Sequence, residues 1–487
     1  MNRYLLVYHH YFLIVLSCFL INDLTAQTQQ PNILLFIADD MNWRDCTPYG
    51  NTEVITPNIA RLAREGMRFD NMYTATAMCS PTRQQLFTGL YPVRNGAFPN
   101  HSQVYPGVKS LGHHFLDLGY RVGLIGKQHY GPVESFPFQY FKGRQHDDGK
   151  GRDIDLRKIR TFMEPESQPY FLIVAENQPH TPWNKGNPAA YDPASLTIPP
   201  DMIDTPFTRE QLTRYYAEIT YADSLLGVCL KYLEETGQAD NTIVIFTSEQ
   251  GAQFPFGKWT CYDLGLKTAF IARWLGKIQP GSHNAALTQY VDVVPTLLEA
   301  VGANPDTVQV GITNTQGDDG FDGKSFLSIL QSNNQQHRDY VYGVQTTRGI
   351  HQGSACYPIR SVRSNRFKYI WNLNSDSPFY NVVTTRKNDI FENWQQATRQ
   401  NPERHAWVMK YQQRPTEELY DLENDPYELN NLAEHPNFQE EKETLRQELI
   451  DWMEIQGDQG TATEMKALER QHRANEWQPC GGTTCND

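Results

Sequence analysis

The run Asn32-Ile33-Leu34-Leu35-Phe36-Ile37-Ala38 opens on one polar residue, stays apolar for six, and stops abruptly on Asp39-Asp40. A strand with one wet face alternates polar and apolar positions. This one has nothing to offer water, so both faces must be covered, as in the interior of a parallel sheet. Tyr170–Ala175 has the same character and runs into Glu176-Asn177-Gln178-Pro179-His180. Residues 120–125 and 242–247 repeat it, ending at Gly126-Lys127 and at Ser248-Glu249-Gln250-Gly251. Between the strands lie helical patterns: residues 57–66, with Pro57 at the start and Gly66 at the stop, residues 81–88, and a long amphipathic stretch at about 208–236. Met67–Tyr73 adds a further strand. Strands alternating with helices predict an α/β domain with a largely parallel sheet.

From about Tyr357 the character changes. Residues 359–362, 366–371 and 418–421 read as short strands and 438–456 as a helix, which predicts a smaller C-terminal α+β domain. The expected organisation is a leader over residues 1–26, a main domain over 27–355 and a C-terminal unit over 356–487. Residues 304–323, rich in Asn, Asp and Gly, read as a surface loop.

Asn2 and Arg3, the apolar run from Tyr4 to Ile21 and the small residues up to Ala26 read as a secretory signal with cleavage after Ala26. His9 and His10 interrupt the run, which speaks against an uncleaved anchor. Cys18 follows Leu16-Ser17, a poor context for lipidation. The expected compartment is the periplasm, with full secretion as the alternative. Removing 26 of 487 residues leaves 461, and with 39% hydrophobic content a large core is assured. The net charge of −13, from 43 Lys+Arg against 56 Asp+Glu, argues against a surface that coats polyanions. An anionic substrate must then meet local cations in a pocket. In an oxidising compartment Cys480 and Cys485, at the two ends of a short Gly-rich loop, could close a disulfide, although two free thiols fit the spacing as well.

The polar residues that follow the strands carry the chemistry, because open α/β sheets place their sites beyond the strands' carboxyl ends. Asp39 and Asp40 close one strand, and Glu249 and Gln250 close another. Three carboxylates and an amide carbonyl suit Ca²⁺ or Mg²⁺; Zn²⁺ would call for His or Cys. An Asp-Asp alone is more often a solvated turn or a helix cap; the second pair gives it weight. Lys127 and His129 in GKQHYGP, His180 in QPHTPW, Lys258 in FGKWT and Arg83 add groups that can be cationic. Taken singly each reads as a loop lysine or a satisfied histidine. Together they supply a cationic cradle and proton carriers for a transferring anionic group.

Cys79-Ser80-Pro81-Thr82-Arg83, running on into Gln84-Gln85-Leu86-Phe87-Thr88-Gly89-Leu90, resembles the signature of type I sulfatases, with Thr82 where that family most often has serine. The segments around Gly126–Pro132, residues 242–251, Tyr357–Val362 and Glu418–Asp421 extend the resemblance over residues 31 to about 431, and most closely to the heparan N-sulfatase (sulfamidase) branch. The resemblance implies an alkaline-phosphatase-like fold and conversion of Cys79 to formylglycine by a formylglycine-generating or anaerobic sulfatase-maturating enzyme. It also implies one Ca²⁺ held by Asp39, Asp40, Glu249, Gln250 and residue 79. Arg83 and Lys127 would hold the aldehyde hydrate and the sulfate, His129 would be the base that breaks down the sulfated hydrate, and His180 with Lys258 would face the leaving group. The family's usual Asp-Asn pair is Glu249-Gln250 here, one methylene longer on each side with the same donors.

The expected activity is hydrolysis of sulfate from a sulfated carbohydrate, either oligosaccharides of an algal polysaccharide such as ulvan or of a glycosaminoglycan. Alternatives are a sulfamidase acting on N-sulfoglucosamine, phosphate ester hydrolysis on the same fold, and a non-catalytic carbohydrate-binding relative. Asn100-His101 and Arg360 are candidate substrate-loop residues.

Overall fold

The computed structural model describes residues 30–141, 154–332, 334–471 and 477–480; the expected leader lies outside them. Among the described residues the main sheet comprises β1 (Asn32–Ala38), β2 (Met67–Tyr73), β3 (Arg121–Gly126), β4 (Gln139–Phe141), β5 (Tyr170–Ala175), β6 (Thr242–Ser248), β7 (Lys267–Arg273), β8 (Ser282–Asn284) and β9 (Thr288–Gln289). Their order is β4-β3-β5-β1-β6-β7-β2-β8, with β9 also on β2. All pairings are parallel except those of β7, which runs against both β6 and β2. The sheet is therefore mixed and largely parallel, as the apolar runs predict.

Strand β1 lies between β5 and β6, with Leu34 opposite Leu172 and Val244 and Phe36 opposite Val174 and Phe246. Its side chains alternate between two cores. Leu34 and Phe36 face one that also holds Ile59 and Leu62 of α1 (Pro57–Glu65). Ile33, Leu35 and Ile37 face the other, which takes Leu86 and Phe87 of α2 (Cys79–Thr88) and Leu111 and Phe115 of α3 (Leu111–Asp117). The first core is closed by α4 (Pro206–Glu235), whose N-terminus is capped by Thr205 accepting from the Thr208 amide at 3.0 Å. The second is closed by α5 (Val293–Ala300), through Val294, Leu297 and Leu298. No helix among the described residues is long and apolar enough to cross a membrane.

Two elements begin earlier than their sequence patterns indicate. Helix α4 starts at Pro206, and α2 starts at Cys79 instead of residue 81. In both cases proline sits in the first turn, where its missing N–H leaves no hydrogen bond unmade. Strand β7 was not legible: its Ala269 and Ala272 break the β-branched character a strand shows.

The second sheet is antiparallel, β10 (Val341–Gln345), β11 (Ile359–Arg363), β12 (Phe367–Asn372) and β13 (Glu417–Asp421) in that order. Strand β10 is hidden in the sequence by Gly343, which the packing demands, since a Cβ there would meet Ser361 Oγ at 2.3 Å. Helix α6 (Gln439–Gln456) lays Leu445, Leu449 and Trp452 on Val344, Val362 and Leu419. Lys368 of β12 joins this unit to the main sheet, with its ammonium 2.8 Å from Asp263 and 3.1 Å from Glu428.

Two expectations are corrected here. Arg360 is not a substrate-loop residue: it is fully buried, and its guanidinium is forked onto Asp458, with Nη2 to Oδ1 at 2.9 Å. A buried arginine needs such a partner more than β11 needs its charge. Cys480 carries a free thiol, so the Cys480–Cys485 closure is not formed, and it is Cys356 that is disulfide-bonded. The Cys480 amide donates to the Gly353 carbonyl, which holds that stretch beside Ser354 in a parallel bridge.

One buried group makes the fold sensitive to acid. His114 of α3 packs edge-on against Phe321 with ring centroids 5.6 Å apart. Burial, then repulsion from His113 and Lys109, pushes it down to about 4 from an ordinary 6.5. The unfolded chain thus binds a proton that the folded one refuses. The stability is complete above pH 6.5 and is lost as pH falls toward 4, by up to about 3 kcal/mol. His114→Leu should flatten this part of the melting-temperature profile between pH 7 and 4.5; a slope equal to that of the wild type would rule the assignment out.

Candidate active site

Because Ala38 pairs with Ser248, Asp39-Asp40 and Glu249-Gln250 leave β1 and β6 side by side. The exits are set by two glycines. A Cβ on Gly251 would lie 1.8 Å from the Leu264 carbonyl oxygen, and Gly126, at φ +99°, would place one 2.1 Å from that of Ala175. No side chain fits either position, so Gln250 and Lys127 depart where backbone packs on backbone. Cys79 enters from the opposite side as the first residue of α2, where the positive end of the helix dipole favours negative charge. Its Sγ lies 3.9 Å from Asp39 Oδ1, 3.9 Å from Asp40 Oδ1 and 3.3 Å from Gln250 Nε2.

Each of the three buried carboxylates has its own cation. Arg83 forks onto Glu249, Nε to Oε1 at 3.0 Å and Nη2 to Oε2 at 3.1 Å, and its Nη1 donates to the Lys127 carbonyl at 3.2 Å. Lys127 donates to Asp39 and lies 3.6 Å from Glu249. Lys258 donates to Asp40 at 2.7 Å. Burial is the largest single influence and would push both lysines down, but the surrounding negative groups, led by Asp39 at Lys127 and by Asp40 at Lys258, together outweigh it and hold both above their ordinary value. Burial pushes Glu249 up against the pull of Arg83. The Cys79 thiol is raised strongly, by burial and then by Glu249, so as a plain cysteine it stays protonated.

The histidines sit around this cluster. His180 Nδ1 is 2.7 Å from the Thr181 carbonyl, a contact that fixes its proton on Nδ1 and leaves Nε2 to accept from Lys258 at 3.2 Å. His129 Nε2 lies 3.0 Å from His101 Nδ1. Burial, then His101 and the surrounding cations, drives His129 far below its usual value and keeps it neutral. The structure thus brings together Asp39, Asp40, Cys79, Arg83, Lys127, His180, Glu249, Gln250 and Lys258 in one bonded network, with His129 held by His101.

The donor set suits a hard divalent cation. Asp39, Asp40, Cys79 and Glu249 offer ligand atoms all within 4.8 Å of one another, and the buried Gln250 Oε1 has no hydrogen-bond partner among the described residues. An orphaned amide oxygen beside three carboxylates is the arrangement that Ca²⁺ or Mg²⁺ completes.

Sequence reasoning missed the residues that hold these loops. Asn42 Oδ1 accepts from the Ala252 amide at 2.8 Å, tying the two ligand segments together. Gln84 accepts from the Val104 and Gly131 amides and donates to the Ser102 carbonyl at 3.0 Å. Gln84 stood in the signature stretch, but Asn42 had no signal, because its partner lies 210 positions away. The loop that carries His101 is clamped from the C-terminal side by Gln471, which donates to the Asn100 and Gly349 carbonyls, and by Arg470, which donates to that of Gln103 at 2.8 Å.

The family model described as Sulfatase matches residues 31–303. An ulvan-active sulfatase of Formosa agariphila is 35% identical over 89% of this chain and 82% of its own length. The N-sulphoglucosamine sulphohydrolase of Homo sapiens is 29% identical over 86% of this chain and 89% of its own. Among solved structures, one determined in complex with its substrate D-glucosamine-2-N,6-O-disulfate superposes with a TM-score of 0.67 at 20% identity, covering 89% of this chain and 99% of that one.

If each buried carboxylate depends on its own cation, Arg83→Met should cost about 3–5 kcal/mol by leaving Glu249 unpaired. Adding Glu249→Gln should recover much of that loss, since the amide needs no counterion. A denaturant-unfolding cycle of the two variants checks this; simple additivity would show that the pair is not coupled.

Proposed function

The chain belongs to the sulfatase family and is a sulfuric ester hydrolase, and from that premise we propose that it releases sulfate from a sulfated carbohydrate, with oligosaccharides of an algal polysaccharide such as ulvan as the leading substrate and glycosaminoglycan fragments next. The relative at 35% identity that acts on ulvan supports this order. The observation that carries the mechanism is the matched set of three carboxylates and three cations around Cys79, with one amide oxygen left over.

Formylglycine at position 79 would supply a hydrate as nucleophile, and Ca²⁺ held by Asp39, Asp40, Glu249 and Gln250 together with residue 79 would supply positive charge beside it. With the carboxylates already balanced, the pocket is close to neutral before the ion binds and positive after it, which suits an anionic ester. Lys127 and Lys258 then present N–H donors where charge develops on the sulfate oxygens. Arg83, spent on Glu249, acts by holding that ligand in place and by supporting Lys127 through its carbonyl. His129, neutral, takes the proton whose loss frees the product sulfate. His180 and Lys258, hydrogen-bonded to each other, face the leaving oxygen, and the proton comes from the lysine side of that pair.

Cys79 is 1% exposed in the folded chain, so its conversion by a maturating enzyme precedes closure of the fold. The leader-like residues 1–26 support export, with the periplasm as the compartment and full secretion as the alternative. A second reading, hydrolysis of an N-sulfate, is favoured by the human relative at 29% identity; the same proton donors would serve a leaving nitrogen.

Mass spectrometry of the peptide bearing residue 79, from a host with a maturating enzyme, should show an aldehyde mass, together with sulfate release from ulvan fragments in preference to N-sulfoglucosamine. Unmodified Cys79 in a competent host, with no release from either, would overturn the reading. Lys127→Ala and His129→Ala should each lower kcat/KM by about 10²–10⁴. Ca²⁺ at about a hundredfold over its Kd should stabilise the protein by about 2.7 kcal/mol. Gln250→Met should weaken that gain, as read by thermal shift in calcium titrations.

A further inference from the structure

Away from the catalytic centre lies a cavity of about 530 Å³, walled by the loop after β1, the segment Thr197–Asp201, the turn leading into β7, and residues of the C-terminal unit. None of the ten residues of the catalytic constellation lines it. Its size is that of a small-ligand site.

Charge accounting around the cavity leaves one group over. The carboxylates on its wall are all engaged. Asp201 takes Arg44 at 2.9 Å, and Asp45 accepts from Asn42 at 2.9 Å. Glu53 accepts from the Thr197 amide and hydroxyl. Asp263 and Glu428 share Lys368 at 2.8 and 3.1 Å. Lys267 differs. Among the described residues its ammonium has no hydrogen bond and no carboxylate within 4.0 Å; it lies 4.1 Å over the face of Trp43. Burial holds it at about 8, so it is still largely charged at neutral pH. Asp263 offsets part of its charge from beyond contact distance and Arg363 opposes that offset, so the ammonium over Trp43 still has no anion at contact and can take one from the cavity.

The rest of the wall says what the anion is attached to. Trp43, Trp407, Leu422 and Tyr427 line it with apolar surface, Tyr427 being 37% exposed. The engaged carboxylates keep lone pairs that accept hydroxyl donors, since each ionised carboxylate has about four acceptor sites. Five carboxylates line the cavity against the cations Arg44, Lys267 and Arg363, so a multiply charged anion would be repelled. We propose that this cavity is a second binding site, distinct from the catalytic centre, for a singly charged acidic sugar, whose carboxylate pairs with Lys267 while its ring stacks on the aromatic wall and its hydroxyls donate to the wall carboxylates.

The site needs no conversion of Cys79, so it is tested on the full chain as expressed without a maturating enzyme, and its failure is separate from that of the sulfatase mechanism. Isothermal titration with the methyl glycoside of glucuronic acid should show saturable binding. The neutral methyl glucoside should bind about tenfold or more weakly, and glucose bearing two sulfates more weakly still. Lys267→Met, which keeps the stem on Trp43, should lose about tenfold in affinity for the glucuronide while leaving weak binding of the neutral glycoside unchanged. Tyr427→Ala, at the exposed rim where folding is not at stake, should weaken both sugars alike. Equal binding of charged and neutral sugars, an unchanged Lys267→Met, a preference for the disulfated sugar, or no binding at all would each overturn the proposal.

Discussion

Everything at the catalytic centre depends on keeping three carboxylates dry in one place. Each buried ion costs several kcal/mol in lost hydration, and that cost is offset only when a partner is held at contact. The parallel register of β1 and β6 makes the crowding unavoidable, because Ala38 opposite Ser248 delivers Asp39-Asp40 and Glu249-Gln250 to the same level. The cations must therefore come from elsewhere in the chain: Arg83 from a helix, Lys127 from the end of β3, Lys258 from the loop after β6. Glycines 126 and 251 are the backbone's part of this arrangement, since a Cβ at either would collide with a carbonyl oxygen at 2.1 or 1.8 Å. A sheet edge, a helix start and two side-chain-free turns are thus one device for neutralising charge.

That device also fixes the division of labour among the basic residues. A guanidinium forked onto a carboxylate has spent its planar edge and is rigid, so Arg83 is best suited to hold Glu249. Of a lysine's three donors, Lys127 gives one to a carboxylate and Lys258 gives one to Asp40 and one to His180, so each keeps at least one free to meet an anion. The histidines follow the same logic. His180 donates from Nδ1 to the Thr181 carbonyl, and its Nε2 sits between the Lys258 ammonium at 3.2 Å and the Asp40 carboxylate at 3.5 Å.

The centre of the fold was readable because burial on both faces writes a continuous apolar run, and β1, β5 and β6 carry such runs. Most of the candidate catalytic side chains were readable because they follow such runs or sit in one short signature; Lys258, ten residues past β6, was read from its own short motif. What the sequence hid has local physical causes. Strand β7 runs antiparallel and carries alanines, and β10 carries the glycine that lets it press against β11, so both lack the strand pattern. Asn42 acts on a partner 210 positions away. Arg360 shows the converse error: an arginine in a motif-like stretch looked available for substrate, whereas the fold uses it on Asp458 in the interior. Composition cannot separate these two uses of arginine, because the deciding fact is whether a carboxylate waits at contact distance.

The same criterion separates the catalytic cluster from the cavity around Lys267. In the catalytic centre every ammonium or guanidinium answers a carboxylate of its own chain, so it is the positive charge of an ion held there that would create affinity for anions. At Lys267 an aromatic ring lies beneath the cation, and the carboxylate that offsets its charge, Asp263, stays beyond contact distance. Affinity there is built in and does not wait for an ion. If the proposed second site holds, a chain with this layout would recognise one part of a substrate by a charge already present at neutral pH and act on another part with charge that appears only when the centre is loaded, which would keep a net charge of −13 compatible with an anionic substrate.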